Sequence, residues 1–173
     1  IRIIVFGGKE KTYHAWYYAS KQKMEKYGRR YNPCGIYYDE NGNIKFYDDQ
    51  TDNYIQTNYQ ILLNRVIDNN WSLNAAIHYT RGDGYYQEYK SDRWFQEYGL
   101  NPFKLDGKDI YSSDLVRQKK MANDFGGAVF SLNYRNERLS AVLGGGLNNY
   151  DGDHFGKVIW IKKIDNTPSV NCY

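Results

Sequence analysis

Asp151-Gly152-Asp153-His154 is the densest group of potential ligands and proton-transfer groups in the chain. Two carboxylates and an imidazole within four residues could hold a cation or divide acid–base work. The group directly follows a strand-like stretch and contains a glycine, so a solvated turn accounts for the same residues. Asp48-Asp49 with Asp52 could supply paired carboxylates for glycoside hydrolysis, although neighbours in sequence do not fix the separation that reaction needs. Lys21, Lys23, Lys26, Arg29 and Arg30 form a basic run opposed only by Glu25. Such a run is either the solvated face of a short helix or an attractor for an anionic ligand or lipopolysaccharide phosphates. Arg81-Gly82-Asp83-Gly84 has the form of an adhesion motif, but it is four common residues where a strand gives way to a loop. Cys34 and Cys172 are too few for a disulfide framework and lie in no metal-like spacing. There is no phosphate loop, dinucleotide fingerprint, nucleophile elbow or zinc pattern. The expectation is a protein that is not an enzyme, with no catalytic residue, metal or cofactor.

The elements that must position these residues are legible in the charge distribution. The chain has 173 residues with 23 Lys+Arg and 20 Asp+Glu, a net charge of +3. That balance gives no reason to expect a nucleic-acid partner or a polybasic membrane-surface protein. Mean hydropathy is -0.82, and no run approaches the ~18 apolar residues of a spanning helix. Yet four windows hold no charge at all: Asn53–Asn64, Trp71–Thr80, Phe125–Tyr134 and Leu139–Tyr150. All the charges lie outside them.

Each window alternates with period two, as a strand does. Trp71, Leu73, Ala75, Ile77 and Tyr79 oppose Ser72, Asn74, Ala76, His78 and Thr80. Gly126, Ala128, Phe130, Leu132 and Tyr134 oppose Gly127, Val129, Ser131 and Asn133. Leu139, Ala141, Leu143, Gly145 and Leu147 oppose Ser140, Val142, Gly144, Gly146 and Asn148. Ile55, Thr57, Tyr59, Ile61 and Leu63 oppose Tyr54, Gln56, Asn58, Gln60 and Asn64, with Leu62 as the exception. Ile1–Gly8 reads as a fifth strand. The wet face of a soluble strand usually carries Lys, Glu or Arg. These carry Asn, Gln, Ser, Thr, His and Gly. Segments of ~10 residues, apolar on one face and polar but uncharged on the other, are the signature of transmembrane β-strands. On that reading Gln56, Asn58, Asn74, His78, Ser131 and Asn133 face a polar lumen, and His78 is a hydrogen-bonded lumen residue.

Connections alternate short and long. Val66–Asn70 and Arg135–Arg138 are tight turns, whereas Thr12–Asp52 and Tyr89–Asp124 are long. Within the long ones, Ser20–Tyr27 closed by Gly28 predicts a short helix. Ser113 as N-cap predicts a second, reaching about Met121. Asp39–Asn43 predicts a hairpin turn between Gly35–Tyr38 and Ile44–Tyr47. Tyr79, Tyr85, Tyr86 and Tyr89 at one end and Trp71 at the other suit interface girdles, or cross-strand packing in any β protein. The chain begins without Met or a signal peptide and ends without a closing pattern, so it reads as a fragment of something longer.

Several stretches resemble the barrel region of TonB-dependent outer-membrane receptors, especially the long Bacteroidetes type. They are Phe6-Gly7-Gly8-Lys9-Glu10-Lys11-Thr12-Tyr13-His14-Ala15-Trp16, Arg30-Tyr31-Asn32-Pro33 and Phe46-Tyr47-Asp48-Asp49-Gln50-Thr51-Asp52-Asn53-Tyr54. Trp71 through Gly82, Gly84-Tyr85-Tyr86 and Asn123-Asp124-Phe125 follow, then Tyr150 through Gly156 and Val158-Ile159-Trp160. The resemblance implies an all-β fold: about five up-and-down strands of an antiparallel transmembrane β-barrel, with two long extracellular loops carrying short helices. Residues 1–173 would be part of that barrel, in the outer membrane of a Gram-negative bacterium, without the plug domain. The implied activity is uptake of a scarce nutrient (siderophore, haem, cobalamin or glycan) through a plugged barrel driven by TonB. Implied partners are the TonB complex through parts outside this chain, a small-molecule or glycan ligand, and outer-membrane lipid and lipopolysaccharide. The loop aromatics Trp16, Tyr17, Tyr18, Tyr85 and Tyr86 suit ligand stacking, and equally loop packing.

The chief alternative is a soluble all-β carbohydrate-binding module with an aromatic platform. A barrel enzyme using His154 and a passive porin are two further readings.

Overall fold

The computed structural model describes residues 1–162, 164 and 170–171; Cys172 lies outside them. Its main strands are β1 (Arg2–Tyr13), β4 (Thr51–Val66), β5 (Trp71–Trp94), β8 (Ser112–Arg135) and β9 (Ser140–Ile161). They form an antiparallel sheet in the order β1-β4-β5-β8-β9, extended by the two-residue β10 (Val170–Asn171) against Val158 and Lys157. The fold is all-β, as the alternation predicts. Among the described residues the sheet is open, with β1 and β10 at its ends.

The two tight turns form where predicted, each held by one side chain. The Asp68 carboxylate accepts from the amides of Asn70 (2.8 Å) and Trp71 (2.9 Å). The Asn136 carbonyl oxygen does the same for Arg138 (2.8 Å) and Leu139 (2.7 Å). Asp and Asn suit this task because a short acceptor can satisfy amides two and three residues on. The predicted hairpin is β2 (Ile36–Tyr38) paired with β3 (Ile44–Phe46), with Asp39 binding the Asn41 and Asn43 amides and Gly42 at a φ of 76°. The first short helix is α1 (Lys21–Tyr27), with the Ser20 hydroxyl accepting from the Lys23 amide.

The strands are longer than the charge-free windows, and this overturns four expectations. The helix predicted from Ser113 is instead the start of β8. Leu115 and Val116 are both buried, which needs cover on both faces of a strand. The Ser113 hydroxyl donates to the Lys162 carbonyl rather than capping a helix. The expected long loop Tyr89–Asp124 shrinks to residues 95–111, which hold a 3-10 turn (Phe95–Tyr98) and the hairpin of β6 (Phe103–Leu105) with β7 (Lys108–Ile110). Asp151-Gly152-Asp153-His154 is no turn but lies inside β9, and Arg81-Gly82-Asp83-Gly84 lies inside β5. An N-cap residue, a glycine or a charged tetrapeptide is locally compatible with a helix start or a turn, whereas pairing with a neighbouring strand decides the conformation.

The chain divides into two compact units. One comprises Ile1–Lys9, Tyr54–Asp83 and Met121–Asp153; the other comprises Glu10–Asn53, Gly84–Lys120 and His154–Tyr173. The charge-free windows fall in the first unit, apart from Asn53. The second unit contains a conventional small core of Phe95, Tyr98, Leu115, Val158 and Ile161, packed by Leu100, Phe103 and Ile110. Each fully buried aliphatic side chain there stabilises the unit by about 1.5–3 kcal/mol.

Candidate functional site

In the first unit no large apolar side chain is buried among the described residues. Ile55, Tyr59, Ile61, Trp71, Ile77 and Tyr79 on β4 and β5 are exposed, and Leu143 and Leu147 on β9 are 66% and 71% exposed. The alternate positions Asn58, Gln60, Leu62, Ala76, His78 and Thr80 are half-buried. At these positions the arrangement is the reverse of a soluble strand's, although Leu63, Leu73 and Ala75 on the apolar face are half-buried, Asn74 on the other is exposed, and Ser140–Tyr150 of β9 is exposed on both faces.

Five of the six residues predicted to face a lumen carry cross-strand hydrogen bonds, four of them half-buried and Asn74 exposed. The Thr80 hydroxyl donates to Asn58 at 2.8 Å, and the Asn74 amide donates to the Ser131 hydroxyl at 3.3 Å. The Asn133 amide reaches Ser131 and the Ser72 carbonyl. His78 Nε2 lies 3.2 Å from the Asn148 side-chain oxygen, with the Phe125 ring 5.0 Å away. Gln56 is exposed. A cavity of about 260 Å³ opens among Leu62, Asn64, Asn74, Ala76, Val129 and Ser131, so this face is not uniformly polar.

At one end the Tyr54 hydroxyl crosses β5 to donate to Asn123 on β8 at 3.1 Å. A Cβ on Gly82 would overlap that hydroxyl, which explains the glycine. No sequence pattern marks this crossing. On the apolar face, Tyr59 stacks on Tyr79 at 6.1 Å and Trp71 packs on Tyr134 at 4.8 Å. Tyr79 and Arg81 both bond Asp124.

The second unit is organised around charge. Glu88 is paired with Lys90 at 3.0 Å and Arg117 at 2.8 Å. Burial pushes its carboxyl up, and the two cations outweigh that and hold it below the usual range. The Gln87 amide donates to Asp49 at 2.7 Å and to the Tyr47 hydroxyl at 2.8 Å, while its oxygen accepts from Gln118. Lys11 completes the group through Asp49 at 2.9 Å. Asp114 accepts from the Tyr89 hydroxyl at 2.7 Å and the Asp92 amide at 2.9 Å.

His14, which sequence reasoning passed over, is 1% exposed; its Nδ1 lies 2.8 Å from Asp52 and its Nε2 has no partner among the described residues. Trp16 and Tyr86 pack on its ring at 4.0 and 5.0 Å. Tyr85 and Tyr86, expected in a loop, lie inside β5, and two of the five predicted aromatics, Trp16 and Tyr86, are thus brought together, 4.6 Å apart. Tyr17 and Tyr18 are exposed, and Tyr85 lies under the Lys120 ammonium. Asp49 and Asp52 are bound to separate partners, Lys11 and His14. Asp151, Asp153 and His154 are exposed, and no cluster of metal-ligating side chains occurs among the described residues.

A second cavity, of about 720 Å³, lies in this unit. It is lined by Tyr13, Ala15, Tyr27, Arg30, Tyr31, Asn32 and Phe46.

Comparisons with protein-family models, curated proteins and solved structures return no match.

Proposed function

We propose that this chain is part of the wall and external loops of an outer-membrane active-transport receptor. The receptor binds a scarce nutrient (siderophore, haem, cobalamin or glycan) and admits it through a plugged barrel with TonB-coupled energy. One observation carries the membrane part of the reading: the first unit exposes its apolar side chains while its alternate polar ones bond to each other. In water a contiguous apolar face of this kind is a liability. Against lipid it is required, because a bilayer offers no partner to polar groups and rewards apolar ones.

The aromatic pairs support the same reading. Trp71 and Tyr79 are eight residues apart on one strand, about 26 Å along it at the usual rise, or ~20 Å along the membrane normal at a tilt of ~40°. An outer-membrane barrel presents an apolar band about 25 Å tall between aromatic girdles. The charged half of each long strand then stands beyond the hydrocarbon, where ion pairs are tolerated. The receptor and TonB parts rest on the resemblance of the quoted stretches; plug and coupling segment would lie outside residues 1–173.

Fractionation of cells making the native polypeptide, with and without protease added to intact cells, tests this. An antibody to this segment should find a large outer-membrane band, cleaved within residues 14–50 or 95–111. A protease-protected band in the soluble fraction ends the reading and favours the carbohydrate-binding module.

A further inference from the structure

We infer that the larger cavity of the second unit binds a ring-bearing organic anion, in which a carboxylate or phenolate sits beside a flat or apolar ring face. Aromatic rings form much of its wall. Tyr27 and Tyr31 stack with centroids 5.0 Å apart, and Phe46 meets Tyr31 edge-on at 6.2 Å. At about 720 Å³ the space fits a ligand of one or two rings.

Cations dominate the charge around it, with Asp48 the carboxylate whose field reaches the Tyr13 hydroxyl. Arg30 is in the wall. The Lys23 and Lys26 ammonium groups lie 5.9 and 5.2 Å from the Tyr31 and Tyr27 centroids. Within the basic run Glu25 pairs with Lys21, and among the described residues no carboxylate pairs with Lys23, Lys26, Arg29 or Arg30. Asn32 is held at both ends: its amide donates to the His14 carbonyl at 2.7 Å and its oxygen accepts from the Cys34 amide at 2.9 Å. Tyr13 donates to the Tyr47 carbonyl at 3.1 Å. These bonds fix part of the wall and leave Arg30 and the Tyr27 and Tyr31 hydroxyls to meet a ligand, with Arg30 the charged group among them. Rings supply contact area, and a guanidinium supplies directed bonds to a carboxylate. A neutral sugar would fill the space and leave the cations unanswered.

The assignment names the chemistry of the cargo and rests on the receptor reading only for the claim that the bound ligand is cargo. The shared chemistry has two sources, an acidic glycan or an aromatic acid. Calorimetric titration of the native polypeptide, purified in detergent, uses three probes: a glucuronate-containing disaccharide, salicylate, and a neutral glucose disaccharide. One of the two acids should bind, more weakly as salt rises, and the neutral sugar should not. Arg30→Gln should weaken binding by about tenfold or more, the scale of a lost charge-assisted hydrogen bond. Lys26→Gln should weaken it less, and Tyr31→Leu should abolish it with far-ultraviolet dichroism unchanged. Binding of neither acid, equal binding of the neutral sugar, or an unchanged Arg30→Gln affinity overturns the assignment. Acid binding by a protein that fractionates as soluble keeps the assignment and ends the receptor reading.

Discussion

The two units draw on one strand set and solve opposite problems. In the second, Leu115 and Val158 are fully buried, and carboxylates such as Glu88 and Asp114 are held by cations, hydroxyls and amides. That is how a protein in water is stabilised: apolar groups inside, buried charge paired. In the first unit Leu143 and Ile77 are outside, and Asn58, Asn74 and His78 are engaged with Thr80, Ser131 and Asn148 respectively. β5 and β8 each contribute to both units, so strand pairing alone does not set the pattern. The proposed receptor would place the two units in different environments, and that difference can be attacked one side chain at a time.

The largest effects come from a matched pair of substitutions. Leu115→Ala removes a fully buried side chain and should destabilise the protein by about 2–5 kcal/mol. Leu143→Arg alters an exposed position, and exposed positions in water change stability by within about 0.5 kcal/mol. If Leu143 faces lipid, the cost should instead be about 2–4 kcal/mol. Urea unfolding of the native polypeptide in lipid vesicles measures both. A neutral Leu143→Arg would collapse the contrast between the units into ordinary surface against ordinary core.

A smaller effect separates the units by pH. Burial pushes the Asp114 carboxyl up, but the Tyr89 hydroxyl, the Asp92 amide and Lys162 outweigh it and hold it below 3.8. A carboxyl lowered on folding adds stability above its unfolded value, and that stability is lost as pH falls through the folded one. Acid below about pH 4 should therefore loosen the second unit at this point. Amide exchange at Asp92, whose N–H bonds Asp114, should accelerate there, and Asp114→Asn should flatten that dependence. Equal acceleration in the Asn variant would assign the acid response elsewhere.

Much of the first unit was legible because its two faces obey one rule over four windows. Alternation located the strands, and Asp68 and Asn136 located the turns. The second unit was harder. Ser113 followed by Asp114 has the composition of a helix start, and only long-range neighbours such as Glu88 and Gln87 against Arg117 and Gln118 make it a strand. Local propensity cannot see a partner about 30 residues away. The cavity of Tyr13, Arg30 and Phe46 is hidden for the same reason, since a loop, a strand end and a hairpin build it. The sequence showed its basic run but not the rings beneath it.

The smallest effect bears on which medium wets the half-buried face. The Thr80 hydroxyl donates to Asn58, and Thr80→Val keeps the shape while deleting the donor. If that face lines a water-filled space, water takes the vacant acceptor and the loss is at most about 1 kcal/mol. If the face is dry, Asn58 is left unsatisfied at about 1–3 kcal/mol, because nothing replaces the donor. The same urea titration in vesicles distinguishes the two. A small loss here beside a large one at Leu143 would give one sheet a wet face and a lipid face, the condition a transport wall must meet. Large losses at both would make the unit dry on both sides, and no path for a polar nutrient would run along it.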